Sequence, residues 1–146
     1  MKVVATNREV NFRYEVVETF ICGIALKGSE VKSIRDGKVN LKDGFALIRS
    51  GEVILKNVYI APYDKASYNN VPELRDRVLL LHKEEINKLV GKIKIGGYTL
   101  IPRKLGFEGR YVKVELCLCK GKKLYDKRED AKKKEAQRKM EQAKKI

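Results

Sequence analysis

The chain is short of the residues from which catalytic and metal centres are built. A single histidine, His82, and three cysteines, Cys22, Cys117 and Cys119, are scattered through 146 residues. No C-x-x-C pair occurs, and His82 is remote in sequence from the cysteines, so zinc-type ligand spacing is missing. A Walker-type phosphate loop, a nucleophile elbow and a paired-carboxylate motif are missing too. A lone His82 would have to work as acid or base without help. These shortages argue against an enzyme and imply no cofactor, leaving a binding protein as the reading. No apolar run approaches the roughly 20 residues of a membrane span. Met1 to Glu9 turns charged too soon for a secretory leader. With an odd cysteine count, reduced thiols in a cytoplasmic protein away from membranes are expected. Cys117 and Cys119, two apart, share one strand face, where half-buried thiols are expected and a metal site is the alternative.

Acid is the second shortage. Lys and Arg number 33 against 19 Asp and Glu, a formal net charge of +14. The excess is uneven: Lys120 to Ile146 holds twelve basic against five acidic residues, half of the total charge. That segment has too little apolar surface to fold alone. The sequence therefore divides into a body, residues 1–119, and a basic tail, residues 120–146. A cationic tail on a compact body suits a phosphate-rich partner. Asp126-Lys127-Arg128-Glu129 has the form of a capping box. Behind it, Glu129 and Lys133, Asp130 and Lys134, Glu135 and Lys139, and Glu141 and Lys145 are i,i+4 pairs with the acid first, each adding about 0.2–0.5 kcal/mol to a helix. The tail is expected to be disordered when free and helical under a polyanion; a purely solubilising end is the alternative.

The body reads mainly as strands. Phe45 to Arg49 and Glu52 to Leu55 flank Ser50-Gly51 as a tight hairpin. Val112, Val114, Leu116 and Leu118 alternate with Tyr111, Lys113, Glu115 and the two cysteines, the pattern of a strand with one buried face. Tyr98 to Phe107 is a further strand, with Pro102 marking an edge or bulge, and Arg13 to Lys27 is one bent strand or two. Short helices are expected from Glu30, capped by Ser29 and ended by Gly37, from His82 or Lys83 onward, and briefly within Thr6 to Phe12. Asn69-Asn70-Val71-Pro72 falls in a polar loop. The fold expected is a small antiparallel β-barrel of six or so strands with an oligonucleotide-binding-like core, two or three short helices and the basic tail.

Two body segments are candidates for contact with nucleic acid. In the helix from Glu30, Val31 and Ile34 are assigned inward, which turns Glu30, Lys32, Ser33 and Arg35 elsewhere. They form either a solvated face or a surface where Lys32 and Arg35 meet phosphates and Glu30 accepts from base amino groups or a 2′-OH. His82 either starts its helix or stacks on an unpaired base.

Several of these pieces occur together in one family. Val4-Ala5-Thr6-Asn7-Arg8, Gly28-Ser29-Glu30-Val31-Lys32-Ser33-Ile34-Arg35, Gly44-Phe45-Ala46, Ile60-Ala61-Pro62-Tyr63, Leu79-Leu80-Leu81-His82-Lys83, Leu100-Ile101-Pro102 and Gly121-Lys122-Lys123-Leu124-Tyr125-Asp126-Lys127-Arg128-Glu129 follow one another at the proper separations. In these segments the chain resembles the SsrA-binding protein (small protein B) family, over essentially its whole length. The resemblance implies a protein that binds the tRNA-like domain of tmRNA and, with elongation factor Tu held through that RNA, delivers it to stalled ribosomes. It implies a body standing where an anticodon arm would be and a tail entering the vacant mRNA channel beside the decoding region of 16S rRNA. The working form is expected to be a monomer.

Residue by residue, the resemblance carries tmRNA contact to Glu30, Leu80 and His82, with Lys32, Arg35, Lys122 and Lys123 as basic companions. It carries action on the ribosome to Asp126, Lys127 and Arg128, with Tyr125 where the family often has His. The sequence departs from the pattern at Gly44, where Ser is usual, and at Val78 and Glu84, where Lys and Arg are expected. Those last two change the local charge by three units. A generic barrel-type translation factor or ribosomal protein is the alternative reading.

Overall fold

The computed structural model describes residues 1–63 and 71–121. The tail expectations from Lys122 onward, and the Asn69-Asn70 part of the polar loop, lie outside the described residues. In chain order the elements are β1 (Lys2–Thr6), α1 (Val10–Arg13), β2 (Tyr14–Ile24), α2 (Gly28–Arg35), β3 (Val39–Asn40), β4 (Phe45–Arg49), β5 (Glu52–Lys56), β6 (Tyr59–Ile60), β7 (Arg77–Leu80), α3 (Lys83–Ile95), β8 (Tyr98–Glu108) and β9 (Tyr111–Gly121).

The antiparallel strands close on themselves. β8, β4, β5, β7, β2 and β9 are hydrogen-bonded neighbours in that order, and β9 returns to β8. This ring of six antiparallel strands agrees with the closed sheet expected, and closure leaves no long unpaired edge among its members. β1 adds to β8 outside the ring, and β3 pairs with β6 as a separate ribbon.

Local chemistry explains the corners. Ser50 and Gly51 take φ of 51° and 77°, the left-handed pair that matches hairpin twist, and Phe45–Arg49 registers fully with Glu52–Lys56. Pro102 has no N–H to give the ladder, and the β8–β9 register slips between Pro102 and Lys104, a bulge as expected. The β8–β9 turn sits at Gly109-Arg110, with Gly109 at φ 61°. β2 is a single strand, with an irregularity between Val16 and Glu18. β9 continues two residues beyond the expected body boundary, to Gly121.

Inside the ring, Val112, Val114, Leu116 and Leu118 meet Phe20, Ile24, Val53, Leu55, Leu79, Leu100 and Leu105. Each fully buried aliphatic side chain stabilises by about 1.5–3 kcal/mol. A second, smaller cluster lies outside the wall, where Val10 of α1 packs with Ile101, Cys117 and Cys119. Alternation alone gave half-buried thiols; α1 covers that face, and all three cysteines are 0% exposed. Burial pushes Cys22 and Cys119 up to about 12 and Cys117 in the same direction.

Candidate nucleic-acid interface

α2 starts two residues earlier than a Ser29 cap would have it: Lys27, in extended conformation, is the cap residue and Gly28 the first helical one. Glu30 is then the third helical residue, and its Oε1 reaches back to accept from Lys27 N–H at 2.9 Å. The helix buries Glu30, Ser33 and Ile34, while Val31 is only half-buried. The outward position expected of Glu30 and Ser33 is therefore corrected. Ser33 Oγ donates to the Ala61 carbonyl at 2.7 Å, and Glu30 is 2% exposed.

A buried carboxylate needs partners, and Glu30 has two arginines. Arg75 donates to Oε1 through Nε at 3.1 Å and Nη2 at 2.5 Å, and Arg77 Nε donates to Oε2 at 2.5 Å. Arg77 spends its other nitrogens on the Val58 carbonyl at 2.7 Å and the Glu73 carbonyl at 3.0 Å. Arg75 also donates to Ala25 O and Asp76 O. Burial drives the Glu30 carboxyl upward, but the hydrogen bonds from Arg75, Lys27 and Arg77 outweigh it and hold the group below its ordinary value. Burial lowers Arg77 in turn, against the support of Glu30. Every buried side-chain nitrogen and oxygen among the described residues has a partner.

The basic residues of α2, Lys32 and Arg35, face water. Lys32 Nζ stands 5.3 Å from the centre of the Tyr63 ring, and the Arg35 guanidinium 5.7 Å from that of Phe107. Such contacts hold a cation in place and leave its N–H groups open to an anion. Phe107 registers with Lys2 of β1, and Arg110 lies over Tyr111 at the β8–β9 tip. Basic groups thus alternate with aromatic rings across α2 and the hairpin end, the composition that grips phosphate and offers stacking faces.

Leu80 and His82 come from the other direction. Leu80 is 58% exposed and sits opposite Gly23 of β2, whose second neighbour is Lys113 of β9. Ile21, two residues back on the same face of β2, is 51% exposed. His82 caps α3, where Glu85 Oε1 accepts its N–H at 3.1 Å, and its side chain is exposed. The structural role of His82 and its availability to a ligand therefore coexist. Val78 pairs with Ile54 on the outer row and is half-buried, while Glu84 lies in the first turn of α3, where the helix dipole favours an acid. Lys122, Lys123, Tyr125, Asp126, Lys127 and Arg128 lie outside the described residues.

The family model described as SmpB protein matches residues 4–146. The chain belongs to the SmpB family. It is 56% identical over 145 residues to the SsrA-binding protein of Thermosynechococcus vestitus, covering 98% of this chain and 95% of the relative. To the SsrA-binding protein of Geobacillus thermodenitrificans it is 53% identical over 142 residues, covering 97% and 92%. A solved chain from a tmRNA-SmpB assembly, described as a journey to the center of the bacterial ribosome, is 51% identical with a TM-score of 0.68, over 82% of this chain and 85% of that one.

Within this SmpB fold, sequence reasoning missed Arg75, Arg77 and the ring partner Phe107. Arg77 carried a usable signal: it is in phase with Leu79 on β7, so period two turns it inward beside a buried leucine. An inward arginine requires a buried acid. Among the described residues no helix is long and apolar enough to cross a membrane, and no group of three or more His, Cys, Asp or Glu is arranged to hold a metal ion.

Proposed function

We propose that this SmpB-family chain is an RNA-binding adaptor that binds the tRNA-like domain of tmRNA and delivers it to stalled ribosomes for trans-translation. The observation that carries this is the similarity, over nearly the whole chain, to SsrA-binding proteins and to a tmRNA-SmpB chain of the bacterial ribosome. The chemistry of the surface agrees. Lys32 over Tyr63 and Arg35 over Phe107 are cations on aromatic supports, suited to an RNA backbone with exposed bases.

In this reading Lys32 and Arg35 take phosphates, Leu80 and His82 offer an apolar and a stacking contact to an unpaired loop, and Lys122 and Lys123 extend the basic track. The tail acts afterwards on the ribosome through Tyr125, Asp126, Lys127 and Arg128, in the mRNA channel beside 16S rRNA. Elongation factor Tu joins only through the RNA, and the protein works as a cytoplasmic monomer.

The test is a truncation ending at Lys123, assayed for affinity to a transcript of the tRNA-like domain and for release of stalled ribosomes. The expected result is affinity within a few-fold of the full chain with release abolished. Equal loss of both activities contradicts the division between body and tail, and failure of the full chain to bind the transcript removes the reading itself.

A further inference from the structure

Glu30 presents a conflict that its own geometry resolves. The resemblance assigns it a contact with tmRNA, yet the residue is 2% exposed. Both carboxylate oxygens are occupied, by Lys27 N–H and Arg75 on one and by Arg77 on the other. An RNA amino group or 2′-OH approaching this carboxylate would have to displace an arginine and enter the wall of the domain. Two buried charges separated in that way cost several kcal/mol each.

What the carboxylate does touch is informative. Glu30 stands two residues before Lys32 and five before Arg35 on α2. Arg77 opens β7, three residues before Leu80 and five before His82. Through Val58 O, Glu73 O and Ala25 O the two arginines also tie down the β5–β6 connection, the segment before β7 and the end of β2. The ion triad is a polar side-chain link between the elements that carry the two halves of the surface, one basic and aromatic, the other apolar and polar.

We infer that Glu30 is a positioning residue: its carboxylate, acting through Arg75 and Arg77, fixes α2 relative to β7 so that Lys32 and Arg35 meet the same RNA as Leu80 and His82. This rests on the proposed tmRNA-binding function. The carboxylate makes no contact with the RNA. Its loss lowers affinity because the two halves no longer share one geometry.

The experiment compares the full chain, Glu30→Gln, Arg77→Gln and the double variant Glu30→Gln/Arg77→Gln for binding to a transcript of the tRNA-like domain across a salt series, with far-ultraviolet circular dichroism confirming the fold at the assay temperature. Glu30→Gln leaves Arg77 a buried charge without its acid, Arg77→Gln leaves the Glu30 carboxylate with only the partly exposed Arg75, and the double variant leaves two amides able to hydrogen-bond each other. The expected result is at least a tenfold loss for each single variant, a shallower salt dependence for both because Lys32 and Arg35 no longer engage, and recovery of affinity and salt slope to within about threefold in the double variant. If the double variant stays as weak as Glu30→Gln while Arg77→Gln binds normally, Glu30 touches the RNA directly and the inference is overturned. If Glu30→Gln binds like the unsubstituted chain, the residue has no part in binding and the inference is equally overturned. Absence of binding by the unsubstituted chain would instead strike the underlying functional reading.

Discussion

Arg77 Nε donates to Glu30 Oε2 across 2.5 Å, and neither side chain is more than 3% exposed. The pair joins residues 47 apart in sequence. In a domain whose core is otherwise mostly apolar, an interior charge pair is tolerated because each remaining donor and acceptor is also used.

Breaking that pair from one side is therefore costly. Arg77→Met leaves the Glu30 carboxylate with only the partly exposed Arg75, and should destabilise the domain by about 3–5 kcal/mol in urea unfolding. The pH dependence has a definite sign. The Glu30 carboxyl is held below its ordinary value in the fold, so on acidification the unfolded chain takes up its proton first. The stability from Glu30 is present above the unfolded carboxylate value and is lost as pH falls through the folded one. Unfolding free energy measured from neutral pH down through the carboxylate range should fall more steeply for the unsubstituted chain than for Glu30→Gln/Arg77→Gln. Parallel curves would show that the triad is not the titrating element.

Gly44 has a different constraint. A Cβ built there would lie 2.7 Å from Val58 Cγ2 and 2.9 Å from Pro102 Cγ, both closer than real contacts allow. The family resemblance leads one to expect Ser at this position, and here Val58 and Pro102 occupy the room it would need. Gly44→Ser should lower stability by about 1–3 kcal/mol through overpacking. Adding Val58→Ala to Gly44→Ser removes the nearer clash, so the double variant should melt higher than the sum of two independent losses would give. Strict additivity in thermal unfolding would count against the steric cause.

The three thiols should be silent in the native protein. All are fully buried, and burial raises each above the ordinary thiol value, Cys22 and Cys119 to about 12. Thiolate is the reactive form, so a chromogenic disulfide reagent at pH 8 should find no fast-reacting thiol in the folded chain and three once it is unfolded. A fast native reaction would place at least one cysteine outside the packed layers.

What the sequence disclosed, and what it withheld, follows the range of the interactions. The β4–β5 hairpin is written in adjacent residues: alternating apolar positions around a Ser50-Gly51 pair that tolerates positive φ. The core face of β9 and the bulge at Pro102 are equally local. The helix at Lys83 is marked by apolar spacing and a cap. Glu30 is different, since the spacing of Val31 and Ile34 cannot say which neighbour turns inward until Arg75 and Arg77 are brought alongside. Cys117 and Cys119 look half-buried in sequence for the same reason: a strand pattern describes one sheet face, and the cover on the second comes from Val10, more than a hundred residues away. The proposed surface is legible in its basic residues and not in their supports, because the pairing of Arg35 with Phe107 depends on how β8 passes α2.

That pairing separates two kinds of contribution to RNA binding. Arg35 and Lys32 present charge on aromatic supports, whereas Leu80 presents an exposed apolar surface across from Gly23. Cations that neutralise phosphates release counterions, so each lost contact should lower the magnitude of the slope of log affinity against log salt by about 0.7–0.9. Lys32→Ala and Arg35→Ala should each weaken binding to the tRNA-like domain and flatten that slope. Leu80→Ala removes apolar contact and no charge, so affinity should drop several-fold with the slope unchanged. Phe107→Leu tests the support itself: the charge on Arg35 remains but its platform is lost, and the expected loss is smaller than for Arg35→Ala, with most of the salt slope retained. If Leu80→Ala flattens the slope as much as Arg35→Ala does, the two halves of the surface do not act through different chemistry, and Leu80 contributes by holding a basic residue in place instead of meeting the RNA.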